Sequence, residues 1–267
     1  MNLSRSTIIA AVLIAIVVSS GFVSIVHANT SNSQRLISIL TLAVVIHGYN
    51  EHWIPLSDQE LASILTTNYV DEADWTSEET PEELKEPRVN LPQVNITMLS
   101  LGTMEGYLYL KVDFEGTITW QAPQTEDGDQ LLLWTLSIMI DVDNNAETGW
   151  HGADVLVGAY VEYTALFKEF EPAMLYNIPN LPEEDEAMHQ ASSTPLRYKG
   201  GPGYSYVILE VPMNLAGLSP GQTVIVDLHA EVESQNFHHY SFDALTASNA
   251  TYSGDHPLGH VQQITIP

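Results

Sequence analysis

The chain contains no cysteine in 267 residues, which excludes disulfides, thiolate zinc sites and thiol nucleophiles. Basic side chains are almost as scarce. Eight Lys and Arg stand against thirty-four Asp and Glu, for a formal net charge of −26. A nucleic-acid backbone is repelled by such a surface, because no basic face is present on which counterions could be exchanged. Acidic residues are themselves missing from the first fifty positions, and Arg5 is the one basic residue before Ala28. An apolar fraction of 45% gives the rest of the chain enough material for a core. Soluble cations, calcium above all, are the natural partners of the acidic surface.

The uncharged run from Thr7 to Val26 is twenty residues long and comes shortly after Arg5. Val26-His27-Ala28 supplies small or apolar residues of the kind a signal peptidase reads. Three fates stay open for residues 1–28: cleavage after Ala28, retention as a membrane anchor over residues 7–26, or pilin-like processing after Ser6 with the helix kept for filament assembly. All three export the remainder of the chain. The expectation is a secreted or cell-surface protein that meets a membrane only through this segment.

Residues 29–88 read as an N-terminal extension. Leu36–Ile46 is too short to span a bilayer, and its β-branched residues suit a core strand or a strand that pairs with a neighbouring copy. Ser57-Asp-Gln-Glu60 predicts a capping box that opens a short helix ending near Thr67. Asp71–Glu86 holds eight acidic residues in sixteen, which predicts a solvated linker and a main-domain boundary near Arg88.

Over residues 89–267, period-2 patterning dominates. Leu108, Leu110, Val112 and Phe114 alternate with Tyr109, Lys111 and Asp113; Val224, Val226, Leu228, Ala230 and Val232 alternate with Ile225, Asp227, His229, Glu231 and Glu233. Leu131–Ile140 is more continuously apolar, as a central strand is. Turn residues separate these runs, Gly200-Gly-Pro-Gly203 among them. The fold class expected is all-β, an antiparallel β-sandwich with a short α-helical extension.

One stretch carries chemistry. In Asp141-Val-Asp-Asn-Asn145, the residues Asp141, Asp143 and Asn145 place three hard oxygen donors at alternate positions, as calcium loops do. A carbonyl near Glu147 and the carboxylate of Asp154 would complete the set. An EF-hand is excluded, since Ala146 stands where its glycine is required and strands rather than helices flank the loop. Calcium pinning a β-hairpin is therefore expected; a metal-free Asx-rich turn is the plainer reading.

The segments GYLYLKVDFEG, LSIMIDVDNNAETGWHGADVLV and YVILEVPMNLAGLSPG together resemble the secreted domains related to DOMON and to family 9 carbohydrate-binding modules. The matching positions are Leu108 to Val112, Asp141 to Gly149 with Gly152-Ala-Asp154, and Val211-Pro212 with Leu215 and Gly217. The resemblance implies a jelly-roll type of sandwich, sugar or haem binding, and attachment at the cell surface. Haem would need an axial His/Met pair that no pattern here marks. Sugar binding would use tryptophan, and Trp120, Trp134 and Trp150 are the candidates.

Other constellations carry less. His238-His239 and His256 with His260 lack the helix that makes such spacings ligate zinc. No Gly-x-Ser-x-Gly elbow is present, and carboxylate pairs can be drawn at will from so many acids. Tyr107, Tyr109, Tyr204 and Tyr206 are either sheet cover or an aromatic platform for sugar rings. The expectation is a non-catalytic, calcium-stabilised binding module for an extracellular glycan or polysaccharide. The alternative is a structural subunit of an extracellular filament or surface layer, self-associating through Leu36–Ile46 or the leader helix.

Overall fold

The alternation in Tyr107–Phe114 forms a strand in which Leu108, Leu110, Val112 and Phe114 point into the core, each no more than 4% exposed. The computed structural model describes residues 53–71, 91–123, 130–163, 170–179, 190–234, 239–245 and 262–267. These begin with helix α1 (Asp58–Ile64) and strands β1 (Thr67–Val70), β2 (Ile96–Met104), β3 (Tyr107–Phe114), β4 (Leu131–Asp141) and β5 (Val155–Glu162). Next come β6 (Phe170–Asn177), β7 (Ser192–Pro195), β8 (Arg197–Gly200), β9 (Tyr206–Pro212), β10 (Thr223–Ser234), β11 (His239–Ala244) and β12 (Gln262–Thr265).

The strands make two antiparallel sheets. One runs β1-β2-β3-β9-β8, the other β11-β10-β4-β5-β6-β7, with β12 also on β10. β12 and β11 share one edge of β10, at Thr223–Val226 and His229–Glu233, while β4 lines its opposite edge. As its continuous apolar character requires, β4 is central, between β10 and β5. The inward residues of β2, β3 and β9 form one cluster with those of β4, β5 and β10. The two sheets therefore share a single core, and the fold is all-β. Phe114 meets Trp134 edge-on across it at 5.7 Å. Polar bonds also tie the sheets together: the Ile96 amide donates to Asp243 Oδ2 at 2.6 Å, and Thr103 Oγ1 donates to the Pro267 carbonyl at 2.9 Å.

Helix α1 starts as its capping box predicts. The Glu60 amide donates to Ser57 Oγ at 3.3 Å, and the Ser57 amide donates to Glu60 Oε2 at 2.8 Å. It ends at Ile64, short of Thr67, because Thr67–Val70 is claimed by pairing with Met98–Leu101. The β-branched and aromatic residues of Thr-Asn-Tyr-Val fit that sheet edge better than a further helical turn. The helix and the segment before it cover the outer face of the five-stranded sheet, where Ile54 and Leu61 pack on Tyr109 and Ile208.

A domain boundary is expected near Arg88, itself outside the described residues. The chain divides into units Met1–Glu51 and His52–Pro267, and residues 53–71 belong to the β unit. The physical reason is that β1 supplies an edge strand and α1 supplies cover, neither visible as strand periodicity across the acidic stretch. Residues 7–26, Leu36–Ile46 and the acidic stretch beyond Asp71 lie outside the described residues. Among the described residues no helix is long and apolar enough to cross a membrane.

Candidate metal centre

β4 ends at Asp141 and β5 begins at Val155, so the acidic stretch is the connection of a hairpin. The ladder closes around it through Ile140 opposite Val155 and through the Asp154 amide, which donates to the Ile140 carbonyl at 3.0 Å. Within the loop, Trp150 and Ala153 exchange both backbone hydrogen bonds across His151 and Gly152. Both central residues have positive φ, 51° and 85°, the sign pair of a type I′ turn. Gly149 is required by close approach: a Cβ there would lie 2.1 Å from the Ala153 carbonyl oxygen.

These turns fold the carboxylates inward. Asp154 Oδ2 accepts from the amides of Val142 at 2.8 Å and Asp143 at 3.2 Å. The Asn145 amide donates to Asp141 Oδ1 at 3.2 Å and to Asp143 Oδ1 at 2.9 Å. Asn145 Oδ1 accepts from the Glu147 amide at 3.3 Å. One oxygen from each of Asp141, Asp143 and Asp154 lies within 4.8 Å of the others. Asp141 is wholly buried, Asp154 half-buried and Asp143 exposed. Burial raises the Asp154 carboxyl above its usual range; the Val142 and Asp143 amides oppose this, and the charges of Asp143 and Asp141 add to it. Two like charges about 4 Å apart repel by roughly 1 kcal/mol in water and about 4 kcal/mol in partly buried surroundings. A cation among the three carboxylates reverses the sign of that interaction.

The structure thus brings together Asp141, Asp143 and Asp154, with Asn145 bonded into the same loop. It does not bring in the carboxylate of Glu147, which is exposed and outside the cluster.

The three tryptophans part company. Trp134 is corrected as a ligand-binding candidate: it is fully buried, and its indole N–H donates to the Gln93 carbonyl at 3.0 Å. An inward position on the central strand explains why it has no surface to offer. Trp120 is partly buried against the same core. Trp150 lies on the opposite side of the seven-stranded sheet from Trp134, packed with Met139, Leu156 and Ile225 and tilted over His151 at 4.8 Å. It is the tryptophan next to the acidic loop.

A groove of about 780 Å³ opens nearby, between the β2–β3 turn and the Met213–Pro220 segment. Met104, Tyr107 and Met213 line it with Glu105 and Asn214. The amide of Ser219, which lines it, donates to Gln222 Oε1 at 2.9 Å, and Gln222 Nε2 donates to the Val142 carbonyl at 3.0 Å. Neither Trp150 nor the three aspartates line this groove.

Tyr109 is also no platform. It lies beneath α1 and donates to Glu210 Oε2 at 3.2 Å, and burial, then the Glu210 charge, push its hydroxyl up to about 12. His238, His256 and His260 are outside the described residues, as is the side chain of His239.

Trp53 escaped the sequence reading, because it precedes the expected domain and sits in no periodic pattern. It pairs through its backbone with Tyr198 of β8. A further buried polar group also went unread. On the outer face of β10, His229 Nδ1 lies 3.2 Å from Asp227 Oδ1, and its ring stacks on Phe242 at 5.4 Å. No protein-family model matches the chain, and no curated protein matches it significantly.

Proposed function

We propose that the chain is an exported, non-catalytic sandwich of jelly-roll type that binds one calcium ion in its β4–β5 loop and serves at the cell surface as a glycan-binding module. The observation that carries the reading is the convergence of Asp141, Asp143 and Asp154 within 4.8 Å, with Asp141 wholly buried. The donors are all hard oxygens, with no imidazole or thiolate in the cluster, which favours calcium over zinc or copper. Ligands from a turn rather than a rigid cage suit the variable coordination of calcium better than the strict octahedron of magnesium. Export is supported by the apolar leader, and glycan binding by Trp150 beside the loop. The ion would hold the β4–β5 connection in one shape and so set the surface that Trp150 presents.

Thermal melts test the ion. Calcium at a hundredfold excess over its Kd stabilises by about 2.7 kcal/mol, roughly 5 to 10 °C for a domain of this size. EDTA should remove the shift, and Asp143→Asn should weaken it without disturbing the core. A Tm indifferent to calcium overturns the centre, and an equal response to magnesium overturns its assignment to calcium. Polysaccharide pull-down with and without Trp150→Ala tests the glycan surface.

A further inference from the structure

The β8–β9 connection ends in a second cluster, on the outer face of the five-stranded sheet and unrelated to the acidic loop. Gly201-Pro202-Gly203-Tyr204 closes with the Tyr204 amide on the Gly201 carbonyl at 2.9 Å, with Pro at the second position and a φ of 94° at Gly203, a type II pattern. The turn is bonded on both sides to the chain after β3. The Gly203 amide donates to the Ile118 carbonyl at 2.8 Å, and the Ile118 amide to the Tyr204 carbonyl at 2.9 Å. Gly200 has no room for a Cβ, which would lie 2.7 Å from the Tyr206 ring. The loop is thus a rigid mount for aromatic rings.

Three rings meet there. Tyr204 is 41% exposed, with Tyr206 at 5.3 Å and 59°; Trp53, half-buried against the shared core and edge-on to Tyr198 at 6.0 Å, borders Tyr204 at 6.5 Å and 49°. Lys111 Nζ stands 5.3 Å from the centre of the Tyr206 ring and donates to both carboxylate oxygens of Asp113, at 2.5 and 2.7 Å. Among the described residues the Lys and Arg side chains are Lys111, Arg197 and Lys199, and they pair with Asp113, Glu210 and Asp58 respectively. In a chain of net charge −26, all three of these cations stand on strands of the five-stranded sheet.

We infer that Trp53, Tyr204 and Tyr206, with Lys111 and Asp113, form a binding site for a soluble, neutral glycan chain, separate from the metal centre and from Trp150. Aromatic faces stack on the C–H faces of sugar rings, and an adjacent ammonium and carboxylate give and accept hydrogen bonds to neighbouring hydroxyls. Rings tilted by 49° and 59° make a corner, which takes a single twisted chain rather than the flat surface of a crystalline polymer. The charge of the whole molecule repels an anionic polymer, so a neutral one is selected. The inference rests on the reading of the domain as a glycan-binding module, but not on its ion.

The test is calorimetric titration of the full exported chain, in calcium, with cellohexaose, mannohexaose and laminarihexaose. Alginate serves as an anionic probe and microcrystalline cellulose as a flat one. At least one neutral hexasaccharide should bind. Tyr204→Ala should weaken it about tenfold, near 1.4 kcal/mol, with an unchanged melting curve, and Lys111→Gln should weaken it as well. Tyr160→Ala, at an exposed ring of the other sheet, should leave it unchanged. Binding lost in Trp150→Ala but kept in Tyr204→Ala overturns this site while leaving the loop surface standing. No binding of any neutral hexasaccharide, or capture by alginate or cellulose alone, also overturns it. The calcium shift in Tm is read without sugar, so the metal centre stands or falls apart from this result.

Discussion

His229 illustrates how a single buried side chain acquires a pH response. Burial alone lowers its pKa, but the hydrogen bond to Asp227 and the charges of Asp227 and Glu231 outweigh burial and raise it above 6.5. The other neighbours across the sheet, Ser137 on β4 and Ala244 on β11, carry no charge. A folded-state pKa above the unfolded one means that the stabilisation is complete below about pH 6.5 and is lost as pH rises through the raised value. Between about pH 6 and pH 9, the wild-type Tm should therefore fall more than that of His229→Gln. Parallel slopes for the two proteins would remove this account. The same residue shows why its role was unreadable: Asp227, His229 and Glu231 appear in the sequence as an ordinary polar stripe. Their burial, to 4% for Asp227 and 9% for Glu231, is set by what covers that face.

At the scale of elements, the informative part is the segment that looks external. Ile54 and Leu61 are 0% and 2% exposed, and burying such side chains is worth about 1.5 to 3 kcal/mol each. β1 adds an edge strand to the five-stranded sheet. Against a total stability of about 5 to 15 kcal/mol, losing these elements is decisive. A chain that starts at residue 89 should aggregate or melt without cooperativity, whereas one that starts at His52 should keep a sharp transition. Circular dichroism melts of the two truncations check this, and a cooperative transition in the shorter one contradicts it. Strand content was legible where one face is buried, as in β3 and β10, because alternation records the two faces of a sheet directly. β7, with Ser192 and Ser193 exposed, and the four-residue β8 and β12 are too short to carry a period, so pairing rather than pattern makes them strands.

For the whole molecule, the net charge of −26 is a destabilising field as well as a filter on partners. Raising sodium chloride from about 0.01 M to about 0.5 M shortens the screening length from about 30 Å to under 10 Å. Tm should rise gradually over that range, while the effect of calcium saturates at far lower concentration. A Tm insensitive to sodium chloride would show that the acids are too well paired or too dispersed for their repulsion to matter. By itself, the sequence determined the all-β class, the start of α1 at its capping box, and the acidic loop as the place where carboxylates gather. Each is a local property: alternation, a Ser…Glu spacing, and acidic residues close along the chain. Only the tertiary structure decided that Trp134 is core while Trp150 is half-buried on the sheet's other face, that residues 53–71 complete the five-stranded sheet, and that Trp53 borders Tyr204. Those outcomes depend on which face of which sheet a residue occupies. That is settled by pairing between segments far apart in the chain, to which local pattern is blind.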